Sequence, residues 1–210
     1  PVWIDVPLDV QGAPYSEHKA CVSKHVKDVN NDFELDKVIS LILESQKPLF
    51  FWGNGVKLDK AEDAAARLIE AYGLPSVFTW NASDILAYES KWNFGRPGVV
   101  AQRHANFIVQ KADLIVAIGS SLDNVLTAYN PQNFAPGAKK IIVNIDENQL
   151  FHCAIPNSLM VCTSAKNFLE KLSERLTLDD LNLEIEPWLQ ECTKLKDEFT
   201  QKLTNGQQKH

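Results

Sequence analysis

The sequence predicts a doubly wound α/β domain, in which helices cover both faces of a mainly parallel sheet. Three observations predict it. Short apolar runs at residues 49–52, 75–79, 112–118, 140–145 and 159–162 alternate with segments of helical periodicity, the order expected of strand–helix–strand units. The runs are apolar at consecutive positions rather than at every second one, as in strands buried on both faces. Each of the first four also ends in a small or polar cluster, where an open parallel sheet places its ligand loops.

The elements follow in order. Residues 2–6 (VWIDV) read as a strand closed by Pro7, and 13–31, rich in Lys, His, Ser and Asn, as a linker lying over a surface. Asp32 is an N-cap candidate for a helix whose stripe is Leu35, Val38, Ile39, Ile42 and Leu43. Pro48 disfavours helix at Lys47 and ends it. Strand 49–52 runs into Gly53-Asn54-Gly55. A second helix, from residue 59, places Ala61, Ala64, Ala65, Leu68, Ile69 and Tyr72 on one face before Gly73 stops it. Strand 75–79 (PSVFT), helix 101–111 with Ala105, Ile108 and Val109 inward, strands 112–118 (ADLIVAI), 140–145 (KIIVNI) and 159–162, and helix 165–176 complete the alternation. A last helix from Glu186-Pro187-Trp188 to residue 203 leads into Asn205-Gly206-Gln207-Gln208-Lys209, read as a linker. The expected architecture is a three-layer, Rossmann-like sheet of about six mainly parallel strands, of the kind that binds NAD or FAD in other proteins. Residues 32–176 form its body, with joints at 1–31 and 177–210.

Charge and composition exclude several classes. With 21 basic and 27 acidic residues the net charge is −6, and no Lys/Arg block follows a phosphate backbone, so nucleic acid is not expected as a partner. No apolar run approaches a membrane span. No basic-then-apolar leader opens the chain, and Pro1 in place of Met points to a natural start elsewhere. Cys21, Cys153, Cys162 and Cys192 form no C-x-x-C pair, which removes the usual zinc and redox readings and leaves free thiols in a reducing cytoplasm.

The strand-end loops carry the chemistry. They read WGNGV, FTWN, AIGSSLDN and NIDEN. Gly53 and Gly55 permit close backbone approach with N–H groups turned to a phosphate. Gly119, Ser120 and Ser121 offer the same, and Asp146 stands where a carboxylate often accepts a ribose hydroxyl. Together they suggest a nucleotide-shaped crevice; singly, each also reads as ordinary turn geometry, since Leu58 replaces the third glycine of G-x-G-x-x-G. Trp52, Trp80 and Trp92 suit either ring stacking or core packing. There is no Walker-type G-K-S/T, and Asp123 occupies the second glycine position of G-x-S-x-G. His18, His25, His104, His152 and His210 lack ligand spacing, and His104 reads as a packing or surface residue. His152 and Cys153, if on a strand, would face opposite ways. Asn81-Ala82-Ser83 matches a glycosylation sequon by chance. No catalytic and no metal-ligating set is expected.

At these loops the sequence resembles a known family. PVWIDVPLDVQ (1–11), KPLFFWGNGV (47–56), AYGLPSVFTWNASDIL (71–86), KADLIVAIGSSLDN (111–124) and NFAPGAKKIIVNIDENQL (133–150) look like the middle, or central, domain of thiamine-diphosphate-dependent enzymes of the acetolactate synthase large-subunit type, in family order and spacing to about residue 175. The resemblance implies a homo-oligomeric parent that decarboxylates a 2-keto acid and passes the carbanion to an acceptor, the cofactor supplying the reactive carbon. Thiamine diphosphate and Mg²⁺ would lie between a pyrimidine-binding and a pyrophosphate-binding domain. Residues 1–31 would then be the end of the former plus a linker, and 177–210 a helical linker toward the latter. No G-D-G metal motif occurs in the chain, so the active site is expected outside it and the chain alone to be inactive.

The family's middle domain binds FAD, ADP or nothing. The matching positions are Gly53, Asn54, Gly55, Thr79, Trp80, Gly119, Ser120, Ser121, Asp123 and Asp146. Ser121 and Val125 replace the arginines of the flavin pattern G-x-R-F-D-D-R, and Asn54 replaces the middle glycine of G-G-G. Loss of the guanidinium groups removes charge-assisted bonds to a pyrophosphate. The expectation is a structural spacer with a degenerate nucleotide crevice. The alternatives are an FAD- or ADP-binding module of the same enzyme, or a stand-alone dinucleotide-binding protein. Sirtuin-like deacylases, of the latter kind, need zinc C-x-x-C pairs that are absent here.

Overall fold

The computed structural model describes residues 3–14, 34–176 and 185–207. Residues 3–6 form no strand. Trp3 and Ile4 are 92% and 80% exposed, and with no neighbouring strand to complete their hydrogen bonds an extended run has nothing to hold it. One helical turn, α1 (Leu8–Gln11), follows Pro7. Asp32 and nearly all of the 13–31 linker lie outside the described residues.

Helix α2 (Leu35–Glu44) begins after Glu34. Val38 and Ile42 are buried and Leu35 and Ile39 half-buried, but Leu43 is 41% exposed. It follows Ile42 and so points about 100° further round the helix, off the stripe. The turn after α2 is held by the Asp113 carboxylate, which accepts from the Ser45 hydroxyl, the Gln46 N–H (2.9 Å) and the Lys47 N–H (3.0 Å). Strand β1 (Pro48–Trp52) leads into the short helix α3 (Gly55–Leu58), then α4 (Glu62–Tyr72), which Gly73 ends at φ 65°. Strand β2 (Ser76–Phe78) is followed by an irregular stretch to residue 102, tied back by a bridge between Ser76 and Asn93. Then come α5 (Arg103–Lys111), β3 (Leu114–Ile118), β4 (Lys139–Asn144), α6 (Glu147–Phe151), β5 (Ser158–Cys162), α7 (Ala165–Arg175) and α8 (Glu186–Gln207). His152 and Cys153 close α6 instead of lying on a strand.

Of the six strands named from sequence, the five from residue 49 onward form, and no sixth occurs among the described residues. They are all parallel, in the order β2-β1-β3-β4-β5. Every residue of β1, β2 and β3 is buried. Alternate residues feed two cores: Phe50, Trp52, Val116 and Ile141 meet α2, α4 and α7, while Leu49, Phe51, Ile115 and Ile142 meet α5 and α8. This is the three-layer, doubly wound, Rossmann-like arrangement the sequence predicts. Its order reverses direction between β1 and β3, which opens a crevice at the carboxyl ends of those strands.

Helix α8 departs from the linker reading. It continues through Asn205 and Gly206 to Gln207, and its first half is a layer of the domain. Ile185, Trp188 and Cys192 are buried. The Trp188 indole N–H donates to the Pro48 carbonyl at 2.9 Å. Glu191 takes ion pairs from Lys47 at 3.0 Å and Lys111 at 2.5 Å. Phe199 stacks on Phe107 of α5 at 5.3 Å. A buried tryptophan removes about 200 Å² from water, worth about 5 kcal/mol of transfer free energy, so the sheet face is incomplete without this helix.

Candidate functional site

The loops after β1 and β3 cross in direct backbone contact. The Gly53 N–H donates to the Ile118 carbonyl (2.9 Å), the Gly55 N–H to the Gly119 carbonyl (2.8 Å), and the Gly119 N–H to the Val143 carbonyl (2.9 Å). A Cβ on Gly53 would stand 2.2 Å from the Gly119 oxygen, and one on Gly55 2.7 Å from the Gly119 Cα. Gly119 itself has φ +63°, with the Val56 nitrogen 2.7 Å from its missing Cβ. The three glycines thus serve one crossing, and the Gly53 and Gly55 N–H groups are spent on carbonyls within the chain.

Two clefts open on either side of this crossing, and Asn54, Gly119 and Ser121 line both. The first, of about 320 Å³, adds Thr79, Trp80, Ser120 and Asp123 from the predicted set. The second, of about 460 Å³, adds Gly55 and Asp146. Gly53 lines neither. The structure therefore gathers nine of the ten predicted positions around one crossing, but divides them between two walls.

Most polar groups here are engaged. Ser120 Oγ accepts from the Leu122 N–H (3.2 Å), and Asp123 Oδ1 accepts from the Val125 (2.9 Å) and Leu126 (3.0 Å) N–H groups. Asp146 caps α6 by accepting from Asn148 N–H (2.9 Å) and Gln149 N–H (3.4 Å), so its carboxylate fills the positive end of that helix. Asp59 does the same for α7, accepting from the Lys166 N–H at 2.6 Å. Among the described residues, no lysine, arginine or histidine lines either cleft. Lys57, nearby on α3, is paired with Asp84 at 2.7 Å, and this bond holds the Asp84 carboxyl below its ordinary range. The exceptions are Thr79, whose buried hydroxyl has no hydrogen-bond partner, and Trp80, 55% exposed at the rim. Trp52 is fully buried and stacked on Phe50, and Trp92 packs against the core.

Sequence reasoning missed two residues. Gln149 Oε1 accepts from both the Ser121 hydroxyl (2.7 Å) and the Asn144 amide (2.9 Å), locking the β3 and β4 loops together. Its spacing from Asp146 is that of a capping box, which was the available signal. Asp59 carried no signal, because its partner lies on a distant helix. His104 is buried, with Nε2 unpartnered. Among the described residues no group of His, Cys, Asp and Glu could hold a metal ion, and no helix is long and apolar enough to cross a membrane. Burial, then Glu147 and Asp146, push the Cys162 thiol up, and burial does the same for Cys192, so both stay protonated and unreactive at neutral pH.

Comparison with known proteins agrees with this architecture. The chain is 30% identical over 179 residues to a 3D-(3,5/4)-trihydroxycyclohexane-1,2-dione hydrolase of Geobacillus thermodenitrificans, covering 83% of this chain and 27% of that protein. It is 28% identical to a probable acetolactate synthase large subunit of Methanocaldococcus jannaschii (93% and 34%) and 26% identical to the acetolactate synthase isozyme 2 large subunit of Escherichia coli (95% and 35%). It thus spans about a quarter to a third of the length of these relatives. Residues 35–172, from the start of α2 into the last turn of α7, match the model of the thiamine pyrophosphate enzyme central domain, and the chain belongs to that family.

Proposed function

We propose that this domain is the structural spacer of a thiamine-diphosphate-dependent 2-keto acid decarboxylase/carboligase of the acetolactate synthase kind, and that its switch-point crevice holds no nucleotide. The parent is a cytoplasmic homo-oligomer whose pyrimidine- and pyrophosphate-binding domains carry thiamine diphosphate and Mg²⁺. This domain supplies surfaces that hold those two in register. Among the described residues, the exposed apolar side chains of Leu58, Trp80, Val100, Val125 and Ile145 line the clefts at the carboxyl ends of the strands and support the reading that this edge is covered in the assembled enzyme.

One observation carries the empty crevice. A dinucleotide brings two negative phosphates, yet among the described residues the cleft walls carry Asp59, Asp123 and Asp146 and no cation. The positive ends of α6 and α7 are already capped by the chain's own carboxylates. FAD therefore does not fit these residues, because an uncompensated phosphate beside carboxylates is repelled. A second reading, an ADP- or FAD-binding module, draws on the unpartnered Thr79 hydroxyl beside the exposed Trp80 ring.

Calorimetric titration with FAD, ADP and NAD decides between them. The spacer reading expects no saturable heat below about 100 μM ligand, a free energy weaker than about −5.5 kcal/mol. Saturable binding of FAD or ADP in the micromolar range, abolished by Trp80→Ala, would overturn it.

A further inference from the structure

On the far side of β2, away from the crevice, a buried histidine and a half-buried lysine meet the same stretch of chain. His104 is the second residue of α5, 4% exposed, and its Nε2 meets no hydrogen-bond partner. It lies against Gly95, where an added Cβ would stand 3.0 Å from that nitrogen. Lys196 reaches in from α8. Its ammonium donates to the Asn93 carbonyl at 2.7 Å and the Tyr88 carbonyl at 3.2 Å, and lies 4.6 Å from the centre of the Tyr88 ring. Lys196 therefore clasps α8 to the irregular stretch between β2 and α5. The Phe107–Phe199 stack and the Arg103 guanidinium, 6.0 Å from the Phe199 ring, close the same seam.

Burial and the Lys196 ammonium both oppose a proton on His104. Lys196 faces it from α8; Arg103 precedes it in its own first turn; Arg96 follows Gly95 in the connecting stretch. The start of α5 carries no acidic residue and adds the positive end of a helix. Burial holds the Lys196 pKa below the ordinary lysine range, with Asp197 and Glu89 opposing it, and no carboxylate among the described residues hydrogen-bonds His104. Neutral imidazole is the form this site accepts.

We propose that His104 is an acid sensor whose protonation unseats Lys196 from the Asn93 and Tyr88 carbonyls and frees α8 from the segment before α5. A proton taken from solvent by the imidazole places a second cation in a site that already holds one. Moving the Lys196 ammonium out to water relieves the repulsion and leaves two carbonyls open. Burial first, then Lys196, holds the His104 pKa below the ordinary histidine value. The unfolded or opened chain thus binds the proton more readily. The clasp is fully closed above about pH 6.5 and is lost as pH falls through the lowered value. This inference is independent of what occupies the crevice.

Hydrogen exchange on the full 210-residue chain, read by mass spectrometry at about pH 7.5 and about pH 5 and corrected for intrinsic rates, tests it. Segments 86–95 and 190–200 are expected to exchange about fivefold faster at the lower pH. His104→Gln is expected to remove that step, and Lys196→Met to show the fast rate at both pH values. No step in the wild type, or a step retained by His104→Gln, overturns the proposal. An NMR titration of the wild-type imidazole gives an answer even where the variants fail to fold: a pKa at or above about 6.5 overturns the proposal, a lower one supports it.

Discussion

Lys140 offers a sharp test of how this sheet is built. It is the second residue of β4, between Ile115 of β3 and Ser158 of β5, on the face shared with Ile142 and turned toward α5 and α8. Its side chain is fully buried and its amine has no hydrogen-bond partner. Burial holds its pKa below the ordinary lysine range. A buried lysine without a hydrogen-bond partner carries a desolvation cost that an apolar side chain of similar length does not bear. Lys140→Met keeps the unbranched length and removes that cost. The expected gain is about 1–4 kcal/mol, or about 2–16 °C in Tm for a domain of this size. The sign of the pH dependence is fixed. The unfolded chain binds a proton that the native one resists, so wild-type stability falls as pH drops from the ordinary lysine value toward the lowered one. The advantage of the variant should therefore shrink on going from about pH 7 to about pH 10. Urea unfolding at both pH values measures it. A variant less stable than wild type by more than about 1 kcal/mol at pH 7 would refute the reasoning, because it would mean the ammonium has a partner worth keeping.

Two further substitutions probe features described above. Gly119→Ala forces a side chain into a positive-φ position against Val56 and Gly55 and should cost about 3 kcal/mol or more by urea unfolding; a loss under about 1 kcal/mol would mean the crossing is slack. Trp188→Phe keeps most of the apolar area but strips the donor from the Pro48 carbonyl, and should cost about 1–3 kcal/mol, read as a drop in the denaturation midpoint with an unchanged slope.

The sheet was legible because its signal is local. Runs such as LFFW and LIVAI declare burial on both faces without reference to anything distant, and strands form within each of the five segments so read. VWIDV has the same composition and forms no strand among residues 3–6, because pairing with a neighbouring strand, which no short window contains, makes an apolar run a strand. The role of α8 was hidden for a related reason. Trp188, Cys192 and Leu195 do recur at helical spacing, but the groups that receive them, Pro48 and the face of β1, lie far back in the chain. In the crevice, the loops fell where the strand ends predicted. Whether a donor in them is free depends on partners such as Gly119 for Gly55 and Gln149 for Ser121, and those pairings are tertiary facts.

The lateness of α8 has a consequence for how the protein is made. The bond from Trp188 to Pro48 joins residues 140 apart, so part of the cover over Leu49, Phe51 and Ile115 is made only after every strand of the sheet. At about 5–20 residues per second, the flank that α5 covers only in part stays incomplete for several seconds after the strands are synthesised. A nascent chain in that interval presents a flat apolar surface of the kind that holdase chaperones bind. Truncation before residue 185 would make the interval permanent and is expected to promote aggregation.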